Sequence, residues 1–154
     1  MAGMNRHNQI TILLVEDDDG HAALIKDHFR EARLSNPVQR FCDGEEILNF
    51  LFAEKEVPLV IQDYLMLLDI RMPKVDGFEV LQKMRTHEAL AKLPVIILTT
   101  TDEPWEVKKC FQLGCNSYLT KPVEFPNFLQ ALRKVGLNLD IVRNSNDENN
   151  SEVS

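Results

Sequence analysis

Acidic residues follow two apolar segments of the chain. Residues 16–19, Glu-Asp-Asp-Asp, come directly after the apolar run 10–15, and Asp69 ends the run 64–68. If these acids converge, their charges repel, which raises the pKa of at least one by about a unit. A hard divalent cation removes that cost, and carboxylate oxygens are the ligands that Mg²⁺ prefers. The sequence therefore predicts a site for Mg²⁺ (or Mn²⁺) with three carboxylate ligands: Glu16, Asp17 and Asp69.

A hydroxyl group and an ammonium group end the last two apolar runs. Thr99 closes the run 94–98, and Lys121 follows the run 117–120. Beside a metal-bound carboxylate, an ammonium neutralises the charge of a tetrahedral phosphoryl group and a hydroxyl donates a hydrogen bond to it. Lys121-Pro122 is a candidate cis peptide, since only X-Pro bonds adopt cis at low cost. Either residue alone is ordinary, but together with the acids they indicate phosphoryl chemistry at Asp69.

These residues need strands that end at a common edge, and the chain supplies them. Apolar runs alternate five times with segments of helical periodicity. Such an alternation predicts a doubly wound (βα)5 α/β sandwich with a parallel sheet of order 2-1-3-4-5. In that order the carboxyl ends of strands 1 and 3 form the crevice where ligands bind. The predicted strands are 10–15, 38–41, 64–69, 94–99 and 117–120, and the predicted helices are 20–34, 47–54, 78–84, 105–113 and 125–135.

Length and composition indicate one domain. A chain of 154 residues holds a single core, which we place at residues 9–140. Residues 1–8 form a polar extension, and residues 141–154 are so polar that we expect a disordered tail. The net charge of −7 disfavours binding to nucleic acid. No apolar run spans a bilayer and no signal-peptide core is present, which predicts a cytoplasmic protein without membrane contact.

Four segments resemble the receiver domain of bacterial two-component response regulators, a flavodoxin-like fold typified by the chemotaxis regulator. They are residues 13–18 (LLVEDD), 67–77 (LLDIRMPKVDG), 93–99 (LPVIILT) and 118–122 (YLTKP). The resemblance implies that Asp69 is the phosphoacceptor, that Glu16, Asp17 and the backbone carbonyl of Arg71 help to hold the metal, and that Lys121 binds the phosphoryl group. It also implies that Thr99 and Tyr118 form the switch pair and that Arg71 and Thr101 tune the lifetime of the aspartyl phosphate.

The function implied is that of a phosphoacceptor signalling domain, which catalyses only its own phosphorylation and dephosphorylation. A sensor histidine kinase would phosphorylate Asp69, and the surface of helix 4, strand 5 and helix 5 would then bind a downstream protein in phosphorelay signal transduction. The chain resembles a stand-alone receiver, and its connection 55–63 is similar to that of regulators paired with phytochrome kinases. Residues 116–118 lack the acids of a common dimer interface, so we expect a monomer or weak homodimer.

Other functions remain open at this stage. Two alternatives are a shuttle that passes phosphate to a histidine phosphotransfer protein and a degenerate receiver that only binds partners. An aspartyl phosphatase would need a second acid two residues after Asp69, where the chain has Arg71. A flavin mononucleotide binder would need a hydroxyl- and glycine-rich loop after the first strand, where residues 16–19 would repel phosphate.

Overall fold

The computed structural model describes residues 9–53 and 59–136, so the predicted extension, tail and residues 54–58 and 137–140 lie outside the described residues. Five strands alternate with five helices, and short 3₁₀ turns occupy 61–63 and 88–90. In chain order the elements are β1 (Thr11–Val15), α1 (Asp19–Glu31), β2 (Val38–Phe41), α2 (Gly44–Phe52), β3 (Tyr64–Asp69), α3 (Gly77–Arg85), β4 (Val95–Thr99), α4 (Pro104–Gln112), β5 (Ser117–Thr120) and α5 (Phe125–Val135).

The sheet is parallel with the order β2-β1-β3-β4-β5, which confirms the predicted doubly wound fold. The three inner strands are apolar on both faces because helices cover each face. One face packs against α2, α3 and α4, and its buried residues include Leu13, Met66 and Ile97. The other face packs against α1 and α5, and the buried residues of this layer include Ile12, Leu67 and Phe128. No helix in the two described ranges is long and apolar enough to cross a bilayer.

Aspartates set the first residues of three helices. The side chains of Asp18, Asp43 and Asp76 each accept a hydrogen bond from the backbone nitrogen three residues on, at the starts of α1, α2 and α3. Each such N-cap stabilises its helix by about 1 kcal/mol. The Asp-Gly pairs at 43–44 and 76–77 are therefore helix starts.

Gly77 lets α3 begin directly against the end of β3. A Cβ at this position would lie 2.5 Å from the carbonyl oxygen of Asp69 and 2.8 Å from the Cα of Ile70. The backbone nitrogen of Gly77 also donates to the carbonyl of Ile70, at 2.9 Å. Glycine is thus the residue that permits this close approach, which fixes the main chain beside Asp69.

Three helix ends bear on the predictions. The first helix ends at Glu31 rather than near Leu34, because Arg33 adopts a left-handed φ of 60° and turns the chain before Pro37. The fourth helix ends at Gln112, and Gly114 has a φ of 85°, as expected of a glycine that terminates a helix. The second helix ends at Phe52, and the predicted end near Glu54 lies outside the described residues.

Candidate functional site

Asp69 and Lys121 are in direct contact at the carboxyl edge of the sheet. Asp69 is the last residue of β3 and is 1% exposed. The Nζ atom of Lys121 lies 2.9 Å from Oδ2 of Asp69 and 2.7 Å from Oε1 of Glu16. The peptide bond Lys121-Pro122 is cis, as predicted. Lys121 therefore follows the edge strand β5 but reaches past β4 to the ends of β3 and β1.

Three carboxylates converge beside this ammonium group. Oxygens of Glu16, Asp17 and Asp69 lie within 4.8 Å of one another. Glu16 is buried, and it accepts hydrogen bonds from the backbone nitrogen of Asp18 at 3.2 Å and from Nδ1 of His21 at 2.8 Å. Asp17 is exposed and leaves the cluster open on one side. Buried and exposed hard oxygen donors in one open cluster fit Mg²⁺ or Mn²⁺, which bind oxygen and retain water ligands.

Burial and proximity shift the pKa values of the cluster in opposite directions. Burial raises the pKa of Asp69 to about 7, and the hydrogen bond and charge of Glu16 act in the same sense. Burial also opposes ionisation of Glu16, but its hydrogen bonds, that of His21 first, outweigh burial and lower its pKa to about 2. For Lys121, hydrogen bonds to the two carboxylates outweigh burial and raise its pKa. The site therefore disfavours two negative charges without a further cation.

Thr99 and Arg71 lie next to this cluster but share a different partner. The hydroxyl of Thr99, which is fully buried, donates to Oε2 of Glu106 at 3.2 Å. Nη2 of Arg71 lies 3.3 Å from Oε1 of the same carboxylate. The backbone nitrogen of Arg71 donates to Oδ1 of Asp69 at 3.1 Å, so its main chain does reach the cluster. The predicted use of the Arg71 carbonyl as a metal ligand stays a prediction.

The other predicted switch residue, Tyr118, contacts the loop between β4 and α4. Its hydroxyl donates to the backbone carbonyl of Thr101, and its ring packs against the core between the sheet and α2, α3 and α4. Burial, aided by the charge of Glu106, raises the pKa of Tyr118 to about 12. The backbone nitrogen of Thr101 donates to Oγ1 of Thr99 at 3.3 Å. Both switch residues therefore join the same loop, and the inward rotation of Tyr118 on phosphorylation stays a prediction.

Two residues of the site were missed by sequence reasoning. The ring of His21 bonds to Glu16, and Glu106 accepts hydrogen bonds from Thr99 and Arg71. A signal existed for His21, since it lies in the first turn of the helix that follows the acids. Glu106 carried no distinguishing signal, because an acid in a first helical turn is commonly a solvated residue that favours the helix dipole.

Trp105, the second residue of α4, lies near the site. It lines an open groove of about 570 Å³ together with Asp17, Arg71, Phe78 and Lys109. Its indole is 57% exposed and lies 6.5 Å from the Phe78 ring, centroid to centroid. Trp105 is therefore placed to report binding at the acidic cluster by fluorescence.

The sequence matches the model of a known family. The profile of the response regulator receiver domain matches residues 12–133. The chain belongs to this family. Receiver domains serve two-component signalling and are not enzymes in the usual sense. Among the curated relatives is the probable methanogenesis regulatory protein FilR2 of Methanothrix harundinacea (strain 6Ac), 33% identical over 128 residues, or 80% of this chain and 79% of FilR2.

Solved structures agree with this assignment. The bacteriophytochrome response regulator RtBRR superposes with a TM-score of 0.74 at 35% identity, covering 88% of this chain and 83% of its own. The Mn²⁺-bound form of response regulator Rcp1 superposes with a TM-score of 0.66 at 29% identity, covering 79% of this chain and 88% of its own. In sequence, Rcp1 of Synechocystis is 33% identical over 110 residues, covering 71% of this chain and 75% of Rcp1. Both solved relatives are response regulators, and Rcp1 was crystallised with a metal ion.

Proposed function

We propose that this chain is a response regulator that accepts a phosphoryl group on Asp69 from a sensor histidine kinase. The observation that carries the proposal is the contact of Lys121 with both Glu16 and Asp69, beside a third carboxylate that is open to solvent. Asp69 would be the nucleophile, Lys121 the cation that binds the phosphoryl group, and the three carboxylates the metal ligands. The presence of these groups at one edge of the sheet, with Thr99 beside them, favours this proposal over a degenerate receiver.

The transfer would be a displacement at phosphorus. A carboxylate oxygen of Asp69 bonds to phosphorus as the bond from phosphorus to the kinase histidine nitrogen breaks. Glu16, Asp17, Asp69 and the carbonyl of Arg71 would hold a divalent cation, which when bound supplies positive charge to the phosphoryl oxygens. The ammonium of Lys121 would contact the phosphoryl group. The hydroxyl of Thr99 would turn towards the phosphoryl group. Movement of Thr99 would bias Tyr118 and so the surface of α4, β5 and α5, on which a downstream protein binds.

The relatives support a particular class of kinase. Because RtBRR is named a bacteriophytochrome response regulator, we propose that a phytochrome-type kinase phosphorylates this chain. A cytoplasmic location, a monomeric or weakly dimeric state and the absence of nucleic-acid binding belong to the same proposal. A shuttle that passes the phosphoryl group on to a histidine phosphotransfer protein is the alternative, and it would use the same site.

The direct experiment is labelling with radioactive acetyl phosphate in the presence and absence of Mg²⁺. We expect the wild-type chain to be labelled only with the metal, and Asp69→Asn to lose the label. Asp27→Asn is the matched control, because Asp27 is an exposed aspartate of α1 that pairs with Arg30. Mg²⁺-dependent labelling that persists in Asp69→Asn would overturn the assignment of the phosphoacceptor.

A further inference from the structure

Glu106 is a buried carboxylate that the proposed chemistry does not use. It lies in the first turn of α4 and is fully shielded from solvent. Its two oxygens accept from Thr99 at 3.2 Å and from Arg71 at 3.3 Å. Both donors belong to residues of the phosphorylation site. Glu106 is therefore joined to the site by hydrogen bonds, although α4 contributes none of the proposed metal ligands.

The bond from Thr99 to Glu106 competes with a bond from Thr99 to a phosphoryl group. A threonine hydroxyl carries a single hydrogen, so it donates fully to one acceptor at a time. The guanidinium of Arg71 has five N–H groups and can serve more than one acceptor, and it contacts Glu106 while the backbone nitrogen of the same residue donates to Asp69. A buried carboxylate that loses a donor is strongly disfavoured, because the charge is no longer compensated.

Charge adds to this competition. A phosphoryl group on Asp69 would bring negative charge towards Thr99 and Glu106, which are both fully buried, so water screens little between them. Burial raises the pKa of Tyr118, and the negative charge of Glu106 raises it further. Glu106 is thus within electrostatic reach of both members of the Thr99–Tyr118 pair.

We propose that Glu106 is a positioning residue that holds the Thr99 hydroxyl and the Arg71 guanidinium away from Asp69 and so opposes the phosphorylated conformation. The inference rests on the proposed function. Its consequence is that phosphorylation must break the Thr99–Glu106 bond, which frees the first turn of α4. The signal would therefore leave the site through α4 as well as through the Tyr118 ring.

Glu106→Gln tests this, because glutamine keeps the shape and one acceptor but removes the charge. The probe is trifluoroberyllate with Mg²⁺, a tetrahedral stand-in for the phosphoryl group, measured by calorimetry. We expect the variant to bind it about fivefold more tightly, since a hydrogen bond to a charged acceptor exceeds a neutral one by about that factor. The gain should shrink in a Thr99→Ala background. A purely structural role predicts weaker binding together with lost stability.

Glu103→Gln is the matched control, because Glu103 is an exposed acid just before α4, and its affinity should match that of the wild type. Hydrogen exchange provides a test in the wild-type chain: the backbone amides of 106–108 should exchange faster once trifluoroberyllate binds. Unchanged or weaker binding in Glu106→Gln, or slower exchange in α4, overturns the inference. Failure of the wild-type chain itself to bind trifluoroberyllate would instead refute the proposed function.

Discussion

Lys121 should be needed for stability as well as for phosphate binding, and Lys121→Met tests its contribution to stability. The side chain of Lys121 is 13% exposed, and the side chains of its two partners, Glu16 and Asp69, are 0% and 2% exposed. Removing one member of such a buried pair typically costs about 3–5 kcal/mol, because the remaining charge is uncompensated. Here uptake of a proton by Asp69 relieves part of the cost as the pH falls, because the pKa of Asp69, already raised by burial, rises further once Lys121 no longer lowers it.

We therefore expect a loss of about 3 kcal/mol at about pH 8, and a smaller loss at about pH 6, where Asp69 carries its proton in a larger share of the molecules. For a chain of 154 residues this corresponds to a fall in Tm of about 6–12 °C. The assay is thermal unfolding followed by circular dichroism, in a chelator and again with excess Mg²⁺. Added Mg²⁺ should restore part of the lost stability, because it compensates the same carboxylates.

Lys26→Met, an exposed lysine of α1, is the control and should leave Tm within about 1 °C of the wild type. If Lys121→Met unfolds at the wild-type temperature in the chelator at about pH 8, the reasoning is refuted. Glu16 and Asp69 would then not need the ammonium of Lys121 to be buried together.

The other predictions concern the same edge of the sheet. Because Mg²⁺ needs the ionised form of Asp69, whose pKa is raised to about 7, its apparent affinity should fall about tenfold from about pH 8 to about pH 6. Trp105 fluorescence measures this, and a flat profile would contradict it. Gly77→Ala should destabilise the fold by about 1–3 kcal/mol in urea unfolding, because its Cβ would overlap backbone atoms, whereas Gly20→Ala, with a nearest atom at 3.5 Å, should not. Arg71→Ala should shorten the lifetime of the aspartyl phosphate, since a bulky cation beside the site shields it from water; an unchanged rate of phosphate release would argue against this.

The part of the site that follows strands was predictable from the sequence. Glu16, Asp69 and Lys121 end or follow apolar runs, and parallel strands of the predicted order bring their carboxyl ends to one edge. The position of Glu106 was not predictable, because it depends on how α4 is rotated about its axis against β4. A residue directly after a strand is located by topology alone, whereas a residue on a helix also needs the packing of that helix. The early end of α1 was missed for a related reason, since Arg33 leaves the helix without a glycine or proline at that point.

Thr101 joins three neighbours, and the way it does so bears on how such proteins can diverge. Its backbone nitrogen donates to Thr99 and its backbone carbonyl accepts from Tyr118, while only its hydroxyl, which accepts from the backbone nitrogen of Glu103, belongs to the side chain. The connection between the two switch residues therefore runs through main-chain atoms, which every residue type possesses. If the side chain at position 101 tunes the lifetime of the aspartyl phosphate, as we predict, it can change over evolutionary time without breaking the main-chain hydrogen bonds that join Thr99 to Tyr118. The lifetime of the signal and its transmission would then be separately mutable at a single position.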